Sequence, residues 1–420
     1  MPLIQTFPPE ILSLIFEDLP DLSSAALASL VCRQWHDAAV ADSELWLTIV
    51  ICDKDIDRPE ILGRILARSK GRPLALALRF PSSLHKQRDY EGLYSLLRHV
   101  VREHLRHCGY LFIHAHETAW TTVLGAFAGE QFPLLRVLDV RNYDAVAQWQ
   151  TVCPIPPDPT VANIPLYVPA PMPPKHIVFP LPPGHRLFDA HTQGLSLGDI
   201  RLPNADRLCI SHHFPEILVE GRLNPWLCHA SELIIQRMCV PGAELVHPDD
   251  APVPPTRLEH LTLSELRATP SGAIDPDDVD EDDCGPFFSA LDTSRLRSLF
   301  INAFDLDGRI WDDFIGALPV AHPKFPLVIE LKIRQIDFSW MPSEDIGFFL
   351  GAFPALQRFV IVDCFEGTWQ DVIEVLEMCP ALCVGLKELE VDDGVILRDD
   401  PSPFREVMFY DELGNDACDV

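Results

Sequence analysis

A short apolar pattern recurs along most of this 420-residue chain and constrains its fold more than any other feature. Its form is apolar-x-x-Leu-x-Ile/Leu/Val, and the alternation at its end fits a β-strand with one buried face. Clear copies begin at Leu135, Leu258, Leu296, Val328, Leu356 and Leu386, and weaker ones lie at 111–113, 208–210 and 233–235. The pattern predicts a series of short strands that share an apolar core.

The spacing of these copies indicates what lies between them. From Leu208 onward they follow one another at about 30 residues, a period typical of repeat proteins. Helical stretches that end before a proline are predicted at 307–318 and 368–379. Strand, turn and helix in units of this length resemble the leucine-rich-repeat family, although the usual Asn/Cys position is mostly absent and only Cys364 matches it cleanly. The resemblance implies parallel strands covered by helices, in an irregular solenoid.

Two segments interrupt the repeats. Residues 153–183 hold 12 prolines in 31 positions, which favours an extended insertion, either a spacer or a ligand for a proline-binding domain. Residues 275–283 include seven acidic residues in nine positions, as in a solvated loop. The polar, acidic tail from 398 to 420 is expected to be loosely ordered.

Charge and cysteine content exclude several classes of function. The chain has 33 Lys+Arg against 62 Asp+Glu, a formal charge of −29, so nucleic acid and anionic membranes are disfavoured as main partners. No apolar run approaches the ~18 residues of a membrane helix. The start lacks a signal-peptide pattern, and the 12 cysteines form no CxxC pair. We therefore expect an intracellular protein, cytoplasmic or nuclear or both.

The first fifty residues differ from the rest. Pro8-Pro9-Glu10 is a helix start, and the apolar residues from 11 to 19 cover about 200° of the helix, more than the ~100° that one core requires. Asp21 begins a second predicted helix, and a third contains Trp35. Three helices this short bury too little surface to be stable alone. The excess apolar surface predicts either a partner or packing onto the rest of the chain.

Several fixed spacings in this region resemble the F-box motif. The matching residues are Phe7-Pro8-Pro9-Glu10-Ile11, Ile15-Phe16, Leu30-Val31-Cys32-Arg33-Gln34-Trp35 and Leu45-Trp46, with Phe7 in place of the usual leucine. The resemblance implies a binding site for the Skp-type adaptor of Skp–cullin–F-box ubiquitin ligases. The positions that carry over are Pro8, Ile11, Ile15, Phe16, Leu19, Leu30, Val31, Cys32 and Trp35. Leu12, Leu27 and Trp46 are expected inside the module or packed on the residues that follow it.

Two further motifs suggest chemistry but fit it poorly. Gly194-Leu195-Ser196-Leu197-Gly198 matches a hydrolase nucleophile elbow, yet the flanking residues predict neither the strand nor the helix that the elbow needs. Histidines and a cysteine cluster between 99 and 116 without the paired spacing of a zinc site. We expect no metal, no cofactor and no catalytic residues.

Basic residues are concentrated between 54 and 106, where 12 Lys/Arg face six acidic residues. Arg64, Arg68 and Arg72 are therefore a candidate patch for an acidic or phosphorylated substrate. The alternative is a solvated pair of helices.

These observations predict an α+β or α/β chain, a three-helix F-box module followed by an irregular leucine-rich-repeat region. The expected boundaries are 1–50 for the F-box, 51–73 for a linker helix, 74–152 for the first repeat-like units, 153–184 for the insertion, 185–397 for the substrate-binding repeats and 398–420 for the tail. The predicted function is substrate recognition in a Skp–cullin–F-box ligase, in which the chain binds the adaptor, through it a cullin, and a protein substrate of unknown identity. The alternative is an F-box scaffold that acts outside ubiquitination.

Overall fold

The structure, a computed structural model, describes twelve longer stretches and some short ones. The longer stretches are residues 7–17, 28–80, 87–127, 130–142, 186–193, 205–211, 229–237, 257–268, 291–302, 323–336, 341–364 and 368–391. The short ones are 177–178, 200–201, 218–219, 222–223, 239–240, 287–288, 314–318, 338, 394–397 and 407–409. Contacts divide the chain into two compact units, residues 1–149 with 165–205 and residues 150–164 with 206–420.

The first unit begins with the helical module that the sequence predicts. Helix α1 (Pro9–Glu17) starts at a proline, whose missing N–H costs nothing in the first helical turn. Helix α2 (Arg33–Ala41) follows, and a 3₁₀ turn covers Glu44–Trp46. The second predicted helix, near 21–30, lies mainly outside the described residues.

Five parallel strands in chain order form the described sheet of the first unit. They are β1 (Thr48–Cys52), β2 (Leu74–Phe80), β3 (Cys108–Ala115), β4 (Val137–Asn142) and β5 (Leu187–Gln193). Parallel neighbours need crossover connections. Helices α3 (Pro59–Ala67), α4 (Gln87–Leu96) and α5 (Glu117–Phe127) provide them, and α4 continues as a π turn (Leu97–Val101) and a 3₁₀ helix (Arg102–His107).

The second unit repeats the same plan. Its parallel strands are β6 (Ala205–Ser211), β7 (Glu232–Gln236), β8 (His260–Ser264), β9 (Ser298–Asn302), β10 (Glu330–Arg334), β11 (Arg358–Val362) and β12 (Glu388–Val391). Two antiparallel strands, β13 (Gly394–Leu397) and β14 (Val407–Phe409), close the sheet. Helices α6 (Ser343–Gly351) and α7 (Thr368–Met378) precede β11 and β12. Twelve parallel strands with intervening helices are consistent with a leucine-rich-repeat-like region after the N-terminal module.

One turn recurs before the strands. The backbone N–H of Leu135, Leu296, Val328, Leu356 and Leu386 donates in each case to the carbonyl three residues earlier, at 2.8–3.3 Å. A left-handed residue follows four strands of the second unit, at Arg237, Glu265, Gln335 and Asp363, with φ near 50°. The turn before the strand and the left-handed residue after it thus recur in several units. These units therefore share backbone geometry as well as leucine spacing.

Phenylalanines fill the core of the second unit. Phe325 stacks on Phe353 with ring centroids 4.8 Å apart, and Phe353 contacts Phe349 edge-on at 5.1 Å. Phe314 joins this group at 5.9 Å from Phe325 and 5.1 Å from Phe288. Rings from segments that precede successive strands thus lie in contact with one another.

Several of the segments expected from the sequence can be compared with the described residues. Residues 51–73, predicted as a linker helix, begin with the last two residues of β1 and contain α3. Because β1 pairs along its full length with β2, this segment belongs to the sheet and its helical layer. The tail includes a strand, β14, whose Val407-Met408-Phe409 triplet is apolar enough to extend the sheet. Most of the proline-rich insertion and the whole acidic run lie outside the described residues.

Candidate interaction surface

The N-terminal module has a small core, and Ile65 of α3 also packs against it. Leu12 and Phe16 from α1 pack with Ala38 and Ala39 from α2 and with Trp46. The Trp46 indole N–H donates to the Ala39 carbonyl at 2.7 Å, so its buried polar atom is satisfied. As predicted, Leu12 and Trp46 are internal, whereas Leu27 lies outside the described residues.

Large apolar side chains remain on the surface of this module. Leu30 is 76% exposed and Val31 54%, and Phe7, Ile11 and Leu14 are exposed as well. Phe7 is tied to the segment before α2, because the Gln34 side-chain amide donates to its carbonyl at 2.6 Å. Exposed leucines, isoleucines and valines at this density make this part of the module a candidate protein interaction surface.

The residues carried over from the resemblance divide into three groups. Pro8, Ile11, Leu30 and Val31 are exposed, while Ile15, Cys32 and Trp35 are half-buried at the edge of the core. Phe16 is only 2% exposed, because its ring packs edge-on against Trp35 at 5.5 Å. Phe16 therefore lies beneath the surface and contacts Trp35 at its edge. Leu19 lies outside the described residues.

Leu14 is a surface residue that the predicted list omitted. It is exposed on α1, three residues after Ile11. The helical wheel contained the signal, since it placed Leu14 in the apolar arc. The wheel does not include the position of α2, which packs against Leu12 and Phe16 in another part of the same arc.

The predicted basic patch contacts the module instead of standing apart from it. The Arg68 guanidinium lies over the Trp46 ring, 4.3 Å from its centroid, and Arg72 donates to the Ser43 hydroxyl at 3.1 Å. The Lys70 ammonium donates to the Ala41 carbonyl at 2.9 Å. Burial, with Arg64 nearby, lowers the pKa of Arg68. Arg64 itself is exposed and donates to the Glu60 carbonyl. Two of the three predicted substrate residues thus hold α3 against the module.

A second cluster of charged groups lies on the sheet face of the first unit. Asp139 on β4 accepts two hydrogen bonds from Arg141, at 2.7 and 2.8 Å. His114 and His191 approach it from the neighbouring strands at 3.5 and 3.7 Å. Burial alone would raise the pKa of Asp139, but the hydrogen bonds from His114, His191 and Arg141 outweigh it and hold that pKa well below its usual range.

Replacing Asp139 by asparagine should lower the free energy of unfolding by about 1–3 kcal/mol at pH 7, because Arg141 and both histidines lose their anion. Since the folded-state pKa is depressed, this stabilisation is complete above the ordinary value of 3.8 and is lost as the pH falls further. The difference between wild type and variant, measured by urea unfolding, should therefore close below about pH 4. Glu103→Gln, which alters an exposed carboxylate, should change stability by less than about 0.5 kcal/mol at any pH. A pH-independent difference for Asp139→Asn would contradict the ion-pair account.

The other candidate sites are less organised. His104 and His107 pack edge-on at 5.3 Å, and burial lowers the pKa of both. Among the described residues, no three His, Cys, Asp or Glu side chains converge as metal ligands. The Gly194–Gly198 motif lies outside the described residues. Over that same described part of the chain, no helix combines the length and apolar character needed to cross a membrane.

Comparison with known proteins agrees with the N-terminal motif. A family model described as F-box-like matches residues 4–52. No curated protein matches the chain. The leucine-rich-repeat resemblance of the later residues therefore stays a prediction from spacing and strand order. The first 52 residues carry an F-box-like domain, which supports the interpretation of the chain as an F-box protein.

Proposed function

We propose that this chain is the substrate receptor of a Skp–cullin–F-box ubiquitin ligase. Its N-terminal module would bind the Skp-type adaptor, and through it a cullin, while the strand-and-helix region would bind a protein substrate. The observation that carries the proposal is the exposed apolar surface on a module whose own core is already filled. Such a surface favours a partner, and the F-box-like match supports a Skp-type adaptor in that place.

The adaptor would contact two neighbouring segments of the module. Pro8 immediately precedes α1, Ile11 and Leu14 lie on α1, and Leu30 and Val31 precede α2. Ile15, Cys32 and Trp35 would line the rim, since each is partly exposed beside the core. Phe16 would keep Trp35 in position through their edge-on contact.

The mechanism would be proximity, without catalytic residues in this chain. Holding a substrate beside a ubiquitin-charged enzyme converts an encounter between separate molecules into one within a complex, at a raised effective concentration. The contacts of Arg68, Lys70 and Arg72 with the module serve this purpose, because they join α3, and the strands on either side of it, to the adaptor-binding helices.

Co-expression of the full chain with a Skp-type adaptor tests the proposal. We expect a one-to-one complex in size exclusion with light scattering, with the mass of the adaptor added to the 47.2 kDa of this chain. A folded chain that elutes apart from the adaptor would overturn the proposal. If a complex forms and a bound partner is not ubiquitinated by the assembled ligase, the scaffold alternative applies.

A further inference from the structure

The open face of the first unit's sheet carries a shallow apolar trough. Its floor is Ala75 and Ala77 on β2. Ala75 is half-buried and Ala77 only 8% exposed, because larger side chains flank them in register: Val50 on β1 and Phe112 on β3 beside Ala77, with Tyr110 beside Ala75. These residues alternate with the fully buried Ile49, Ile51, Leu76, Leu78, Leu111 and Ile113, so their side chains point away from the core. We call this surface the alanine trough. Three strands at about 4.8 Å spacing give it a width of about 10 Å.

A positively charged side chain, that of Arg79, lies at one end of the alanine trough. Arg79 follows Ala77 by two residues on β2, which places both side chains on the same face about 6.6 Å apart. Arg79 is exposed and forms no ion pair or side-chain hydrogen bond with any residue that the structure describes. In contrast, Arg141 is engaged by Asp139. Arg79 is therefore a positive charge available to a partner.

The charge distribution along the chain indicates which partner would use it. Residues 1–205 contain 18 basic and 21 acidic residues, whereas residues 206–420 contain 15 and 41. An acidic segment would be repelled by the second part of the chain and would meet a nearly neutral first part. The trough and Arg79 together thus offer an acidic ligand both an apolar contact and a charge-assisted hydrogen bond.

We propose that the alanine trough docks an extended protein segment in which a large apolar residue is followed, two positions later, by aspartate or glutamate. In an extended chain, residues two apart face the same side with the spacing that separates Ala77 from Arg79. The apolar side chain packs on top of Val50 and Phe112, which flank the nearly covered Ala77, and the carboxylate accepts hydrogen bonds from the Arg79 guanidinium. The proposal rests on the proposed function, because it names the class of substrate that the receptor takes.

Immobilised octapeptide pools test the proposal on the full chain. The pools have leucine at position four and glutamate, glutamine, lysine or phosphoserine at position six, with the other positions mixed. We expect the glutamate pool to bind at least tenfold more tightly than the glutamine pool, the difference that one charge-assisted pair supplies. Higher salt should reduce that preference.

Three variants separate the two parts of the site. Arg79→Gln should abolish the preference for glutamate, and Arg136→Gln, which alters an exposed arginine at the start of β4, should retain it. Ala77→Phe fills the trough and should weaken binding of every pool. If the glutamate pool binds no better than the glutamine pool, if lysine or phosphoserine alone is selected, or if Arg79→Gln keeps the preference, the proposal is overturned. Adaptor binding is measured separately, so failure of the receptor function would not be mistaken for failure of this site.

Discussion

Replacing Leu30 and Val31 by glutamate should weaken binding of the Skp-type adaptor by at least about 30-fold while leaving the melting temperature of the chain unchanged. Both side chains are largely exposed, at 76% and 54%, and substitutions at such positions usually change stability by less than about 0.5 kcal/mol. In the complex, however, two carboxylates would be buried without partners. A cost of about 1–3 kcal/mol for each unpaired group gives the expected loss of affinity.

Isothermal titration with purified adaptor measures this effect. The matched control is Val384→Glu, which introduces the same group at a side chain that is 74% exposed in the second unit, and its affinity should equal that of the wild type. Retained binding by the Leu30→Glu, Val31→Glu double variant would remove these residues from the interface. Trp35 is a poorer probe, because its contact with Phe16 makes any change there a change in the core as well.

The sequence predicted the N-terminal core better than it predicted the N-terminal surface. Leu12 and Trp46 were expected inside the module, and both are fully buried. Phe16 was expected in the interface because it lies in the apolar arc of the helical wheel. The wheel shows which arc of α1 is apolar, but it does not show which part of that arc is covered by other residues of the N-terminal module. The ring of Trp35, nineteen residues later, decides this, and such a long-range contact is absent from local periodicity.

The repeat pattern found most strands that have leucine, isoleucine or valine at their buried positions, but it missed β1 and β2, where Ile49, Ile51, Leu76 and Leu78 are buried. All nine copies singled out lie on strands β3, β4 and β6 to β12. Strand β5 was missed because Ala190 and Thr192 occupy its buried positions and are not characteristic of an apolar strand. The strand exists because its backbone pairs with β4, which shows that a neighbour in a sheet can compensate for weak local patterning.

The basic stretch shows a different limit of sequence reasoning. Composition correctly identified a local excess of positive charge, yet it could not tell free charges from engaged ones. Arg68 and Arg72 lie within reach of Trp46 and Ser43 only after β1 and α3 have folded back on the module. Arg79, which was not singled out, is the cation that the described structure leaves available on the sheet face.

Replacing Phe353 by alanine should lower the free energy of unfolding of the second unit by about 3–5 kcal/mol, the range for deleting a buried phenyl ring. Phe353 is fully buried and touches Phe325 and Phe349, which belong to different segments of the repeat. Since each repeat is stabilised mainly by its neighbours, the cavity weakens the contact between adjacent units as well as one unit alone.

Scanning calorimetry should therefore show a transition about 6–20 °C lower for Phe353→Ala, at about 2–4 °C for each kcal/mol in a unit of this size. Phe353→Leu, which retains most of the apolar volume, should recover more than half of the lost stability. Phe188→Ala removes the same ring from a position that is 67% exposed and should have almost no effect. If Phe353→Ala were as mild as Phe188→Ala, the stacked rings would not be a main source of stability in the second unit.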